Sequence, residues 1–336
     1  MESRTLGRTG RDISVVGLGC WQLGADWGDV TEGDALAVLH AALDAGVTFL
    51  DTADVYGDGR SETLVGRALR ERGGPGSAAA DGAAVTVATK MGRRADPHEP
   101  ESFTPEAMRG WLDRSRRNLG VDTIDLVQLH CPPTPVFSDD RVFDTLDGLV
   151  ASGALSAYGV SVETVDEALT AIARPHVASV QIILNVFRRK PLERVLPAAA
   201  EAGVAIIARV PLASGLLTGR YDETTTFAAD DHRTYNRDGE AFDVGETFSG
   251  VPYDVGVRAA RQVAALTPQG ATTAALALRW ILDQPGVSTV IPGARNTDQA
   301  LANVAAADLA PLDATTLGRL EAVYDEQVRT HVHDRW

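Results

Sequence analysis

Cysteine, lysine and long apolar runs are all scarce in this 336-residue sequence, and each shortage excludes something. Two cysteines, Cys20 and Cys131, cannot staple a disulfide framework, so a core made by burial and a reducing compartment are expected. No stretch approaches the ~18 consecutive apolar residues of a membrane span, and Met1-Glu-Ser-Arg opens without an apolar targeting segment; a cytoplasmic location follows as an expectation. Positive charge is in deficit as well. The net charge of -15 excludes a broad basic footprint for nucleic acid, while a local cationic pocket for a small anion stays compatible with it. Only two of the 31 basic residues are lysine, Lys90 and Lys190. Where a generic cation is wanted this chain uses arginine, so each lysine raises the question of what an ammonium does there that a guanidinium cannot.

What is present is ordinary in amount and regular in order. The residues are 44% hydrophobic and 23% charged, the proportions of a globular protein. Eight short runs rich in Val and Ile, at 15 to 19, 47 to 50, 85 to 89, 124 to 129, 155 to 160, 177 to 182, 204 to 208 and 287 to 291, alternate with amphipathic helical patterns. Near-continuous apolar character fits parallel strands buried on both faces. Helix starts are marked by Thr31, Ser61, Thr104 before Pro105, and Thr164 with Glu167 three residues on. Eight strand-helix units without a dividing linker predict an α/β fold, a (β/α)8 TIM barrel in a single domain over 1 to 336. Residues 3 to 13 predict a β-hairpin capping the bottom, 73 to 82 a Gly-rich loop, and 220 to 253, after the seventh strand, a long lid or binding loop.

Function in such a barrel collects at the C-terminal ends of the strands. The residues delivered there are Asp51 and Tyr56 after the second run, Lys90 after the third, and His130 after the fourth. Ser161, Gln181, Arg209 and Gly293-Ala-Arg295 follow the later ones. Each has a bland reading: a capping Asp, a packing Tyr, a hydrogen-bonded core His. Together on one rim they make a proton-donating site. A phenol titrates near pH ~10, so it gives up a proton near neutrality more readily when a cation stands beside the phenolate. Lys90 supplies the cation, Asp51 its counter-ion, and His130 an N–H for the same carbonyl oxygen. A proton donor without a nucleophile points to reduction by a hydride.

Asp51-x4-Tyr56, Lys90 after Val-Ala-Thr, His130 after Val-Gln-Leu, Gln181, Pro211-Leu-Ala-Ser-Gly-Leu-Leu-Thr-Gly219 and Ile291-Pro-Gly-Ala-Arg-Asn-Thr-Asp-Gln-Ala-Leu-Ala-Asn303 resemble the aldo-keto reductase family over nearly the whole chain. The resemblance implies Tyr56 as general acid/base, Lys90 and Asp51 as its tuners and His130 as the carbonyl-positioning residue. It implies a nicotinamide site of Ser161 and Gln181, with Val162 where an Asn is usual, and with Arg209 in place of a ring-stacking aromatic. Leu212, Ser214, Gly215 and Leu216 are implied at the pyrophosphate, and Gly293, Arg295, Gln299 and Asn303 at the adenosine end. Arg295 favours NADP(H) over NAD(H) by gripping a 2'-phosphate. Trp21, Trp27, Val55 and Cys131 take rim positions for an aldehyde, ketone or sugar-like substrate, and the 324 to 336 tail is implied to close over the pocket.

A Rossmann reading fails on detail, because Gln22 stands where the third glycine belongs and 34 residues separate Gly17 from Asp51 against an expected ~20. Two rivals stay open: Lys90 as a Schiff-base lysine, and a nucleotide-bound regulatory subunit of the potassium-channel β type. No metal, nucleic acid or membrane is expected as a partner, and oligomeric state is not legible. Lys190, in a charge run opening a helix, reads as solvated.

Overall fold

The computed structural model describes residues 1 to 24, 30 to 74, 79 and 83 to 336. The chain opens with the expected hairpin, β1 (Ser3–Thr5) antiparallel to β2 (Asp12–Ser14). Eight parallel strands follow: β3 (Leu18–Gly19), β4 (Phe49–Asp51), β5 (Thr86–Met91), β6 (Ile124–His130), β7 (Leu155–Ser161), β8 (Val177–Ile183), β9 (Ala205–Arg209) and β10 (Val287–Val290). Each pairs with its neighbours in chain order, and parallel bridges from Val16 to Val290 and from Gly19 to Gly293 close the ring. The barrel is therefore the one the eight apolar runs predicted.

Side chains alternate across a strand, so every second residue points into the barrel. Phe49, Ala88, Leu126, Ala205, Ile207 and Ile291 form an inner apolar cluster, completed from below by Leu6 and Ile13 of the hairpin region. Two residues further along the same strands the register turns polar, to Asp51, Lys90, Gln128 and Arg209. Crowding there is severe. A Cβ on Gly159 would lie 2.1 Å from Ser179 Oγ, so only glycine fits that layer. The helices bury their other faces against the outside of the barrel in a second, larger core.

The predicted caps are present. Thr31, Thr104 and Thr164 accept from the backbone N–H groups of Asp34, Ala107 and Glu167, and Glu167 completes a capping box. Ser61 differs: its helix starts at Arg60 behind Gly59, and Ser61 is turned inward, donating to the Cys20 carbonyl at 2.9 Å. The predicted 220 to 253 loop is built from short turns, His232–Tyr235, Val244–Glu246 and Phe248–Gly250, and buries His232, Asn236 and Ser249 completely. The tail lies against this loop and not against the site. Trp336 stacks on Arg188 at 3.6 Å and donates to Asp243 at 3.0 Å. Most of the predicted 73 to 82 loop lies outside the described residues, as does Trp27.

Candidate active site

The polar end of the barrel interior is organised around Asp51. Lys90 donates through Nζ to Asp51 Oδ1, while Gln128 and Gln181 donate through Nε2 to Oδ2 at 3.0 and 2.7 Å. Lys90 directs its other two donors at the Thr52 carbonyl, 2.9 Å away, and the Tyr56 hydroxyl, 3.3 Å away. Lysine and aspartate side chains are only 1% and 3% exposed. A buried ion pair repays its desolvation only when the remaining donors and acceptors are also met, and here all of them are. Burial works against the Lys90 ammonium, but Asp51 and Tyr56 outweigh it and hold its pKa above the ordinary value.

Tyr56 comes from the turn after β4. Gly57 there has φ +59°, and a Cβ on it would lie 2.5 Å from the Gly24 oxygen, so the turn needs glycine for both shape and space. Arg94 and Arg114 hold the left-handed Asp58 (φ 53°) from outside. Trp21 stacks on the phenol with centroids 5.9 Å apart, and His130 meets it edge-on at the same separation. Burial raises the Tyr56 pKa, Lys90 pulls it down and Asp51 pushes it back up, with a net rise. His130 is driven well below its usual value by burial and by the cations Arg93, Lys90 and Arg209, so it is a neutral imidazole at pH 7. Its Nδ1 has no partner among the described residues.

One cleft joins this centre to the far rim. Its lining runs from Trp21, Asp51, Tyr56 and His130 past Ser161, Gln181 and Arg209, along Leu212, Ser214 and Gly215, to Gly293, Arg295, Gln299 and Asn303. The model of the Aldo/keto reductase family matches residues 15 to 325. The chain belongs to the aldo/keto reductase family. It is similar to the aldo-keto reductase YhdN of Bacillus subtilis, at 32% identity over 89% of this chain and 86% of that protein. A probable voltage-gated potassium channel subunit beta of Oryza sativa subsp. japonica is 28% identical over 96% of each chain. The solved aldo-keto reductase AKR11C1 from Bacillus halodurans, in its holo form, superposes with a TM-score of 0.75 at 25% identity, over 100% of this chain and 99% of that one.

In this aldo/keto reductase the sequence-predicted residues are brought together with four exceptions. Trp27 is outside the described residues; Val55 and Cys131 stand beside the cleft and do not line it; Leu216 is fully buried, facing away against Gly256. The Cys131 thiol accepts from Arg209 Nη2 at 3.7 Å, and burial pushes its pKa up to about 12, so it is no nucleophile at neutral pH. Gly293 is crowded by Gln22, which would sit 2.0 Å from a Cβ. Asn303 donates to the Gly293 carbonyl at 3.1 Å, and the Arg295 N–H donates to Gln299 Oε1 at 2.9 Å, so the far rim of the cleft is held by its own hydrogen bonds.

Several lining or supporting groups escaped the sequence reading. Gln128 was detectable as a polar residue inside a buried strand, in register with Lys90. Glu246 was not: it reaches back from the long loop to pair with Arg93 and stands 3.6 Å from Arg209. Glu163 takes the other side of Arg209 at 2.9 Å. Cys131 Sγ and one oxygen each of Glu163 and Glu246 lie within 4.8 Å of one another, but two guanidinium groups already occupy the carboxylates, so the cluster reads as an ion-pair network and not as a cation site. Tyr221, Arg220 and Arg233 of the long loop also line the cleft.

Proposed function

We propose that the chain is an NADP(H)-dependent oxidoreductase that moves a hydride between a nicotinamide and the carbonyl or alcohol carbon of an aldehyde, ketone or sugar-like substrate. The observation carrying this is the 3.3 Å contact of Lys90 Nζ with the Tyr56 hydroxyl, made while the same ammonium is neutralised by Asp51. Tyr56 is the general acid in reduction and, as phenolate, the base in oxidation. Lys90 holds the cation beside the oxygen that changes charge, and Asp51 with Gln128 fixes Lys90. Neutral His130 directs a ring N–H at the carbonyl oxygen, orienting it and stabilising the negative charge that develops there. Trp21 covers the phenol and excludes water from that side.

The cleft suits a dinucleotide on the chain's own terms. Arg209 is 7% exposed and its Nε has no hydrogen-bond partner among the described residues. Gly215, at φ +99°, makes room for the Tyr221 ring, whose hydroxyl would lie 2.3 Å from a Cβ there, and Ser214 and Thr218 line the cleft beside it. Arg220 and Arg295 supply positive charge at the far end for phosphate groups, beside Arg233, which is paired with Asp231. When bound, the nicotinamide supplies or takes up the hydride. In this reading Ser161 and Gln181 hold its carboxamide, Arg209 faces the ring, and Arg295 with Gln299 and Asn303 holds an adenosine carrying a 2'-phosphate.

The Schiff-base reading loses ground because all three donors of the Lys90 ammonium are used and its charge is stabilised, whereas an amine nucleophile must be neutral. The channel-subunit reading has two named relatives behind it, but it leaves the complete Tyr56-Lys90-Asp51-His130 arrangement, which suits proton transfer, without a task. A panel of aldehydes, ketones and polyols assayed with NADPH and NADP+ at the nicotinamide absorbance tests the proposal. Turnover of at least one carbonyl class is expected, and tight cofactor binding without turnover of any would favour the regulatory reading.

A further inference from the structure

The mouth of the cleft holds a charge cluster that the proton-donating machinery does not use. Arg209, from the end of β9, bonds to Glu163 at 2.9 Å and to the Val162 carbonyl at 3.0 Å, and lies 3.6 Å from Glu246. Arg93, beyond the end of β5, pairs with Glu246 and lies 3.7 Å from Glu163. Two cations thus face two carboxyl groups, all four side chains 22% exposed or less. Arg209 and Glu246 line the same cleft as Tyr56 and His130.

A carbonyl receives its proton and its hydride on adjacent atoms, so the redox-active ring must lie at the Tyr56 end of the cleft, within the field of this cluster. That ring is the part of the cofactor whose charge changes: the oxidised nicotinamide is a cation and the reduced one is neutral. Resting on the function proposed above, we propose that Glu163 sets the relative affinity of this site for the oxidised and the reduced dinucleotide, by deciding whether the Arg93, Arg209, Glu163 and Glu246 cluster presents a net positive charge or none. With Glu163 protonated the cluster carries one excess positive charge and repels the oxidised ring. With Glu163 ionised it is neutral and the penalty disappears.

The two carboxyl groups do not behave alike. Burial, the Glu246 charge and Asp243 raise Glu163 to about 7 in spite of Arg209, whereas Arg93 and Arg209 overcome burial at Glu246 and hold it at about 2. Glu163 Oε1 has no hydrogen-bond partner satisfying its geometry among the described residues. The groups facing Glu163 come from separate elements: Arg209 from β9, Arg93 from beyond β5, Cys131 from beyond β6, and Glu246 with Asp243 from the long loop. Arg188, after β8, approaches the Glu163 backbone carbonyl at 3.5 Å. Cys131 is pushed to about 12, Glu246 is held at about 2 and Arg188 falls only to about 9, so none of these three competes with Glu163 near neutrality.

The test is the ratio of dissociation constants, Kd for NADP+ over Kd for NADPH, measured by tryptophan fluorescence on the wild-type protein from about pH 6 to 8. The 2'-phosphate is common to both ligands, so its own titration cancels in the ratio. A fall of roughly tenfold with rising pH is expected from one unit charge acting through a partly buried site. Glu163→Gln, isosteric and permanently neutral, should hold the acid-side ratio at every pH. Calorimetry in two buffers of different ionisation enthalpy gives an independent reading near pH 7: NADP+ should release more protons than NADPH, a measurement that does not need the variant to fold. A ratio that stays level in the wild type, or an unaltered pH dependence in Glu163→Gln, overturns the proposal while leaving the cofactor assignment standing. Binding of neither nucleotide at any pH overturns the assignment itself, and the proposal with it.

Discussion

Gln181 Nε2 donates to Asp51 Oδ2 at 2.7 Å, although the two residues are 130 positions apart and the family resemblance places Gln181 on the cofactor. The residue therefore bonds to the carboxylate behind Lys90 and also lines the cleft. Gln128 donates to the same oxygen but does not line the cleft. Removing either donor from a buried carboxylate should cost about 1 to 3 kcal/mol. Gln128→Leu and Gln181→Leu are thus expected to lose similar stability in urea titrations, with only the Gln181 variant losing NADPH affinity. Equal losses of affinity would mean that Gln181 acts through Asp51 alone.

Tyr56→Phe removes the transferable proton and the acceptor of one Lys90 N–H, while the ring can keep its stack on Trp21. A fall in kcat of about 10²- to 10⁴-fold is expected, with NADPH affinity unchanged. The direction of the pKa shifts adds a pH signature. Tyr56 is raised and His130 is far below its usual value, so neither changes its protonation state between about pH 6 and 9. Carbonyl reduction should stay level across that range while alcohol oxidation, which needs the phenolate, climbs with pH. A reduction rate that followed a group near 6.5, and lost that dependence in His130→Gln but kept it in Glu163→Gln, would assign the acid to His130 instead.

Lys90 is the lysine that the arginine-rich composition singles out, and its buried setting explains why arginine does not replace it. Three donors converge on Asp51, Thr52 and Tyr56 from one nitrogen, a geometry that a planar guanidinium cannot reproduce. Lys90→Met should destabilise the fold by about 3 to 5 kcal/mol, because Asp51 is left buried without a counter-charge. Adding Asp51→Asn should restore much of the stability and none of the activity. Recovery of turnover in the double variant would show that the cation is dispensable.

The barrel was legible because its strands are buried on both faces, which leaves eight apolar runs with one polar residue at the same end of each. Asp51, Lys90, His130, Ser161 and Gln181 are all set by that register, and the strand pairings of Lys90 with Gln128 and of His130 with Ser161 and then Gln181 bring them together. Glu246 follows no such rule. Its position depends on Ser214 donating to its carbonyl at 3.1 Å, on Asn185 donating to Ser249 at 2.8 Å and on Trp336 donating to Asp243, all contacts between distant segments without a local pattern. The same reason defeats the tail: an apolar terminal Trp signals burial without saying where, and it packs on Arg188 and the long loop.

Arg295 lines the far end of the cleft in an exposed position, with its own N–H fixed by Gln299 at 2.9 Å. A guanidinium there can meet a 2'-phosphate with two hydrogen bonds and has nothing equivalent to do for a 2'-hydroxyl. Arg295→Ala should weaken NADPH by about tenfold or more while leaving NADH nearly unchanged. The two dissociation constants measured side by side decide it, and equal losses would move the 2'-phosphate to Arg220 or Arg233.

Asp54, between Asp51 and Tyr56, is a liability that the fold retains. Its side chain is fully buried, neither oxygen has a hydrogen bond among the described residues, and the nearest cation atom, Arg94 Nε, is 3.4 Å away. Burial and the neighbouring Glu62 charge raise its pKa from 3.8 to about 7, against the pull of Arg94 and Arg114. The folded chain therefore binds this proton more tightly than the unfolded chain does, so the stability it contributes is complete below the unfolded value and is lost as pH rises to about 7. Asp54→Asn keeps the shape and removes the charge. It should raise stability at about pH 8 by roughly 2 to 4 kcal/mol and have little effect near pH 4, which urea titrations at the two pH values will show. If the variant were no more stable at the higher pH, the Asp54 carboxylate would have to be compensated in solution by Arg94 closing the 3.4 Å gap, and the turn that carries Tyr56 would then be held by that ion pair.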